Sequence, residues 1–427
     1  MTTLGYDRTT GIRLGALFGP AVFGVTAAGI ALPTVIADLK IDPGAASWIL
    51  TVHALALGIG TVLAGRIADS RGVRTSLFLG GVLLAAGAGL CLAAPGLPLL
   101  LTGRFLLAAG SGAMSASALA MVAGAPAEQR PRLLARFGGA MAVFIASATV
   151  VGGLVAQVIS WRVTLILPAL SLFAVPWCLG LATAPGSRRR IDPFGAVALG
   201  VTSAALLLLI QAAGLDLSMP LVGGLAATLM VAVGALAWST KRPGAFVSVS
   251  LLRRPGYLRA IAIGMGVYGG LFAAMAAVPE LLANAHNWTV VAIGVSLLPG
   301  AILGALLSRA AGPPTVVWIT GMFALSLLLV AVLSGPASAL VVAASMGGVA
   351  FAVTQVVVTG AVSAVLPVSE RGTGLGIVNL GFFVGGAVGT AVYAALAGPL
   401  GAVWALGVVT VFPVSSAVAA GIGRARS

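Results

Sequence analysis

The side chains able to do chemistry are sparse: nine acids, two histidines and twenty-three lysines and arginines among 427 residues. The acids are Asp7, Asp38, Asp42, Asp69, Glu128, Asp192, Asp216, Glu280 and Glu370. No phosphate-binding glycine loop, dinucleotide fingerprint or zinc spacing occurs, and two histidines cannot build a histidine cluster. No enzyme activity, cofactor or metal is therefore expected. What these residues can do is pair charges and exchange protons, and three of them stand out. His53, in "SWILTVHALALG", titrates near neutral pH. Arg104, in "LTGRFLLAAG", puts a permanent cation in apolar surroundings. Glu280, directly after Pro279, is the acid closest to lying inside an apolar run.

The elements that position them are set by the solvent. With 60% hydrophobic and only 7% charged residues, the chain falls far below the charge content of a soluble domain. It reads as a multi-pass membrane protein. Runs such as "LFLGGVLLAAGAGLCLAAPG" are apolar all round and long enough to cross hydrocarbon as helices, whereas a membrane β-barrel would alternate. Glycine, proline and charge breaks predict fourteen spans, near 14–33, 46–64, 76–95, 100–123, 137–158, 163–182, 194–213, 219–238, 260–282, 289–307, 314–334, 337–366, 374–397 and 400–421. The first run follows Arg8 and Arg13 and exceeds a signal-peptide core, so it is expected to be a retained helix. Cys91 and Cys178 lie within apolar runs, which suits packing and not a disulfide framework.

The net charge of +14 is expected to reflect topology and not nucleic-acid binding. If the N-terminus is cytoplasmic, twenty of the twenty-three basic residues fall in alternate, cytoplasmic loops, as the positive-inside rule demands. Only Lys40 and Arg162 fall on the other side, and Arg104 within a span. Both termini are then cytoplasmic. A weak repeat relates "LAGRIADSRGVRTSLFLG" (63–80) to "LLSRAAGPPTVVWITG" (306–321), and "AEQRPRLLARFGGAM" to "SERGTGLGIVNLGFF". The expected organisation is a six-helix bundle over 1–182, two inserted helices with a linker over 183–258, and a second bundle over 259–427. Paired bundles about a central cavity suit a transporter.

"GRIADSRGVR" (65–74), between spans 2 and 3, breaks the hydrophobic pattern with one acid and three arginines. As a bare solvated turn it needs only Gly65 and Gly72 for tight geometry and Arg71 and Arg74 for contact with anionic lipid. It also resembles the G-x-L-A-D-x-x-G-R-K loop of the major facilitator superfamily. Further motifs resemble the fourteen-helix drug:proton antiporter family in order: "ALPTVIADL" (31–39), "GRFLLAAGSGA" (103–113), "RRRIDPFGAVALG" (188–200), "SLLPGA" (296–301) and "ERGTGLGIVNLG" (370–381). The resemblance implies a monomeric transporter of the inner (plasma) membrane that exports small amphipathic compounds in exchange for protons, with multidrug efflux and antibiotic resistance as associated roles. It also implies that Asp69 pairs with the start of span 13, near Glu370, Arg371 and Gly372, as a conformational latch. Arginine, glycine and alanine usage suggests a GC-rich bacterial source.

Departures from the family pattern are equally informative. The usual acid of span 1 is Gly24 here, and the span-5 motif keeps only Gly152 and Gly153, a small-residue packing face, with Phe144, Ala148 and Thr149 at its other positions. Proton coupling then falls to His53, Arg104 or Glu280, and a proton-independent or symport-type importer stays open as an alternative. For His53 the alternative is a neutral, hydrogen-bonded packing role; Arg104 is the stronger candidate, with a purely structural role as its alternative. Ser111, Ser115, Tyr268, Gln355 and Asn379 are candidate cavity residues, although polar groups in spans also serve as helix glue. With Arg104 and His53 in the cavity and no deep acid, neutral or anionic amphiphiles are the expected cargo. The expected partners are the bilayer, a small organic substrate and protons.

Overall fold

The computed structural model describes residues 9–183, 185–188, 191–242, 245–247 and 249–424. Asp7, Arg8, Arg189, Arg190 and Arg426 lie outside the described residues, as do the side chains of Arg309 and Arg424. Among the described residues every regular element is helical.

Thirteen helices among the described residues are long and apolar enough to cross a membrane. Spans 1 to 5 are Thr10–Leu39, Ala45–Arg71, Val73–Ala93, Leu97–Gly124 and Arg130–Val158. Spans 7 and 8 are Pro193–Ile210 and Met219–Ser239. Spans 9 to 14 are Pro255–Asn284, Val290–Leu307, Pro313–Val332, Ala337–Val365, Val368–Leu400 and Ala402–Ile422. Span 6 is broken into Trp161–Leu165, a 3₁₀ turn at Leu167–Leu170 and Ser171–Leu179. Pro168 within the turn lacks an N–H and clashes with the preceding turn, so the chain tightens there. Counting that broken helix, the apolar helices number fourteen, as the sequence predicts.

Helix starts are chemically marked. Asp42 accepts the N–H of Ala45 at 2.8 Å and Asp192 that of Gly195 at 3.0 Å, each with proline in the first turn behind it. The "IDPFGA" motif is thus a helix cap, and two of the nine acids are structural.

Spans 1–6 pack among themselves and spans 9–14 among themselves, giving two six-helix bundles, while spans 7 and 8 pair with each other. The bundles meet along two seams, span 2 against span 13 and span 5 against span 10. Both seams depend on glycine. A methyl on Gly65 would collide with the Gly372 carbonyl, and one on Gly153 or Gly294 would collide with Val290 or Val150 across the other seam. Gly152 faces the other way, against Ala27 of span 1. Span 7 rests against span 2, where Thr51 donates to the Gln211 side chain at 2.9 Å, and touches span 13.

Candidate functional site

Asp69 ends span 2 at the very start of span 13, whose first backbone N–H groups lack helical partners. Its Oδ1 accepts the N–H of Gly372 at 2.8 Å, and its Oδ2 accepts the N–H and hydroxyl of Thr373, both at 2.7 Å. A carboxylate on a helix N-terminus combines charged hydrogen bonds with the helix dipole. A reciprocal contact lies beside it: Arg371 of the second bundle donates to the Ala123 carbonyl at the end of span 4, at 3.0 Å. The segment after span 6 straps the same corner, with Ser187 donating N–H and hydroxyl to the Asp69 carbonyl (2.8 and 2.9 Å) and Arg188 donating N–H to that of Ser70 (2.9 Å). Gly72 takes a φ of 95°, open to glycine, to turn the chain into span 3, and Arg71 and Arg74 stay exposed. At this end the bundles are closed.

Toward the other end they enclose a cavity of about 650 Å³. Its lining runs from mid-span residues such as Phe18, Leu57 and Phe351 to the far ends of spans 1, 9 and 10, where Pro33 and Glu280 are exposed. Two helix faces contribute to its walls. Span 1 presents Phe18, Val22, Thr26 and Ile30, and span 9 presents Tyr268, Phe272, Ala276 and Glu280, each 250 positions later. Both follow the four-residue spacing of one helical face. On span 9 the Tyr268 ring packs against Phe272, Phe351, Phe382 and Phe383 with centroids 4.9–5.9 Å apart. Its hydroxyl meets the Gln355 carbonyl oxygen at 3.2 Å, and the Gln355 amide donates to Thr359 at 3.2 Å.

Of the sequence-predicted cavity residues, only Tyr268 and Glu280 line this space. Arg104 is fully buried within the first bundle and faces backbone: its guanidinium donates to the carbonyls of Leu165 (2.9 Å), Ile49 (3.3 Å) and Gly24. The Leu165 carbonyl is available because the 3₁₀ turn in span 6 diverts the N–H of Ala169 to Ile166. His53 is fully buried beside Gly24, and neither of its ring nitrogens has a hydrogen-bond partner among the described residues, contrary to the expected hydrogen-bonded role. A methyl on Gly24 would collide with its imidazole. Ser115 bonds to the Ser111 carbonyl at 3.1 Å and Asn379 to that of Leu375 at 2.9 Å, each one helical turn back. Ser111 itself is buried, and Gln355 stands behind Tyr268. Polarity within a span was a poor guide because a helix offers its own carbonyls to such groups.

Sequence reasoning missed Thr26, Thr149 and Thr390, the other polar groups in the lining. Thr149 stands where the family's span-5 motif carries proline, and its hydroxyl, though buried, has no hydrogen-bond partner among the described residues.

The fit of Gly24 to His53 makes a prediction. Gly24→Ala should cost about 1–3 kcal/mol by overpacking, and His53→Ala in the same chain should relieve most of it. Thermal unfolding of both single variants and the double variant reads the coupling; additive losses would refute it.

Comparison with known proteins accords with this architecture. The fold is similar to two POT family transporters of known structure. One is in complex with a thioalcohol-conjugated peptide (TM-score 0.67, 15% identity, 99% of this chain and 97% of that chain covered). The other is in complex with 5-aminolevulinic acid (TM-score 0.65, 16% identity, 97% and 96% covered). At such identities the likeness is one of fold. Residues 14–311, more than half of the chain, match the family model described as Major Facilitator Superfamily. The chain is therefore a member of the Major Facilitator Superfamily.

Proposed function

We propose that the protein exports small amphipathic organic compounds, as in drug or metabolite efflux, by alternating access and in exchange for protons. The observation that carries this reading is the cavity between the bundles, open at one end and closed at the other by the Asp69 contacts. A space of about 650 Å³ matches the size of small-molecule sites. Its walls are mostly apolar, lined also by Thr26, Thr149 and Thr390, and among the described residues carry one charge, Glu280. Taking the arginine-rich end as cytoplasmic by the positive-inside rule, this conformation faces outward.

The lining supports a different cargo from the one expected. Arg104 and His53 lie behind the cavity wall and Glu280 in it, so the field favours neutral or cationic amphiphiles over anionic ones. The ligands of the two structural relatives fit this lining poorly. A free peptide or amino acid carries a carboxylate, and among the described residues no lysine, arginine or histidine lines the cavity to pair with it. Glu280 is also the one carboxylate in the lining, so a proton and a cationic cargo compete for it. Such competition yields exchange when the carrier reorients only with that carboxylate occupied.

The test is flux from substrate-loaded vesicles with and without a pH gradient. The wild-type protein should accelerate efflux when the receiving side is acid, and Glu280→Gln should abolish that dependence and slow cationic cargo about tenfold. Flux indifferent to the gradient in the wild-type protein would overturn antiport and favour facilitated, proton-independent movement.

A further inference from the structure

Resting on the alternating-access reading above, we infer that the two inserted spans form a second clasp on the closed end, with Phe246 as its wedge and Asp192 as the residue that positions the wedge. Phe246 follows span 8 and is buried. With Val247 it shares one apolar cluster with Val62 of span 2 and Leu380 of span 13. Those two spans belong to different bundles. Leu380 itself reaches across the seam, since a methyl on Gly58 of span 2 would collide with its side chain. Near the end of span 2 the Arg66 guanidinium lies 6.0 Å from the centroid of the Phe246 ring. A side chain packed with both bundles at once resists their separation, because a gap on either side forfeits its contacts there.

The start of span 7 holds Phe246 in place. The Asp192 carboxylate is shared between two backbone donors. Its Oδ1 accepts the N–H of Gly195 as the helix cap at 3.0 Å, and its Oδ2 accepts the N–H of Phe246, 54 residues later, at 3.3 Å. Gly195 leaves the room for this approach, because a methyl there would collide with the Phe246 Cβ. The same end of the hairpin is pinned by Phe194, edge-on to Trp238 at 5.3 Å, with the Arg242 guanidinium 3.4 Å from the Trp238 ring centroid. Span 8 gains little else from the bundles: within it only Ala232 and Ser239 are buried. On the other flank, Ser187 and Arg188 bond the carbonyls of Asp69 and Ser70. Both flanks of the inserted hairpin thus close on one corner, and a motion that parts spans 2 and 13 must draw Phe246 away from one of them.

Spin labels at the ends of spans 2 and 13 of the purified full-length protein, without cargo, test this in the wild-type chain and in Asp69→Asn. In both, Phe246→Ala is expected to shift the balance toward separated ends about tenfold, and Phe246→Leu to restore most of it. Asp192→Asn keeps an oxygen to cap span 7 but has none left for Phe246, and should shift the balance the same way about threefold. Added to Phe246→Ala it should change nothing further, because Asp192 acts through Phe246. A merely structural role would lower the thermal unfolding temperature of these variants and leave the distances as they were. That result, or a double variant whose shift is the sum of the two, overturns the inference. Asp192→Asn decides alone where Phe246→Ala fails to fold. Labels that stay together in every variant, the Asp69→Asn and Phe246→Ala combination included, would overturn the alternating-access reading as well.

Discussion

Asp69→Asn is expected to open the closed end of the molecule and to cut transport at least tenfold. The asparagine oxygen can still accept one N–H from Gly372 or Thr373, but its amide points two donors at a cluster of donors, and the charge on the helix N-terminus is gone. Hydrogen bonds to charged groups contribute about 1.5–3 kcal/mol each, so a net shift on the order of 2–3 kcal/mol is reasonable after rehydration. That is roughly a 30- to 150-fold change in the balance between the two conformations. The second bundle provides no compensating carboxylate. In the repeat that relates 63–80 to 306–321, the position of Asp69 is held by Gly312, and the span 5–span 10 seam closes through glycine and aliphatic contacts. Spin labels at the ends of spans 2 and 13 would report the separation directly. Cys91 and Cys178 are buried and leave introduced cysteines free to react selectively. Unchanged distance distributions in Asp69→Asn would refute a latch at this residue.

The second large effect concerns stability. Arg104→Ala is expected to destabilise the first bundle by about 3–5 kcal/mol, through a buried cavity and the loss of the donor shared by the Leu165, Ile49 and Gly24 carbonyls. Arg104→Lys should recover only part of this, because one ammonium cannot span three carbonyls on spans 1, 2 and 6 as a planar guanidinium does. Thermal unfolding of the purified variants is the measurement. The family resemblance ties this arginine to proton transfer instead, and the two roles separate cleanly. A variant with wild-type unfolding and lost pH dependence of efflux would establish coupling and overturn the structural role.

Legibility of the fold and of the site differed for identifiable reasons. Every long span could be read because a bilayer core demands about twenty apolar residues per helix, and the arginines outside the spans punctuate them. Span 6 was legible as an apolar run, but its break at Pro168 was not, since proline also occurs inside the unbroken helices of spans 9, 10 and 13. That break in turn explains Arg104: a cation in an apolar run signals an unusual environment, yet only the fold reveals diverted backbone as its partner. Ser115 and Asn379 misled for the opposite reason, because their own helix satisfies them one turn away. Thr149 was visible as a departure from a motif, but its place in the cavity lining follows only from the packing of span 5.

The sequence by itself determined the solvent, the number of apolar helices, the superfamily and the position of the Asp69 turn, all of which depend on local composition or contiguous motifs. Tertiary structure alone decided which residues face the cavity, that Glu280 is its single charge among the described residues, and that His53 and Arg104 stand behind its wall. The physical reason is that in a membrane helix apolar residues cover every face. Hydrophobic periodicity, which orients helices in water, then carries little information about facing, and side chains acquire their roles from the neighbours that packing brings to them.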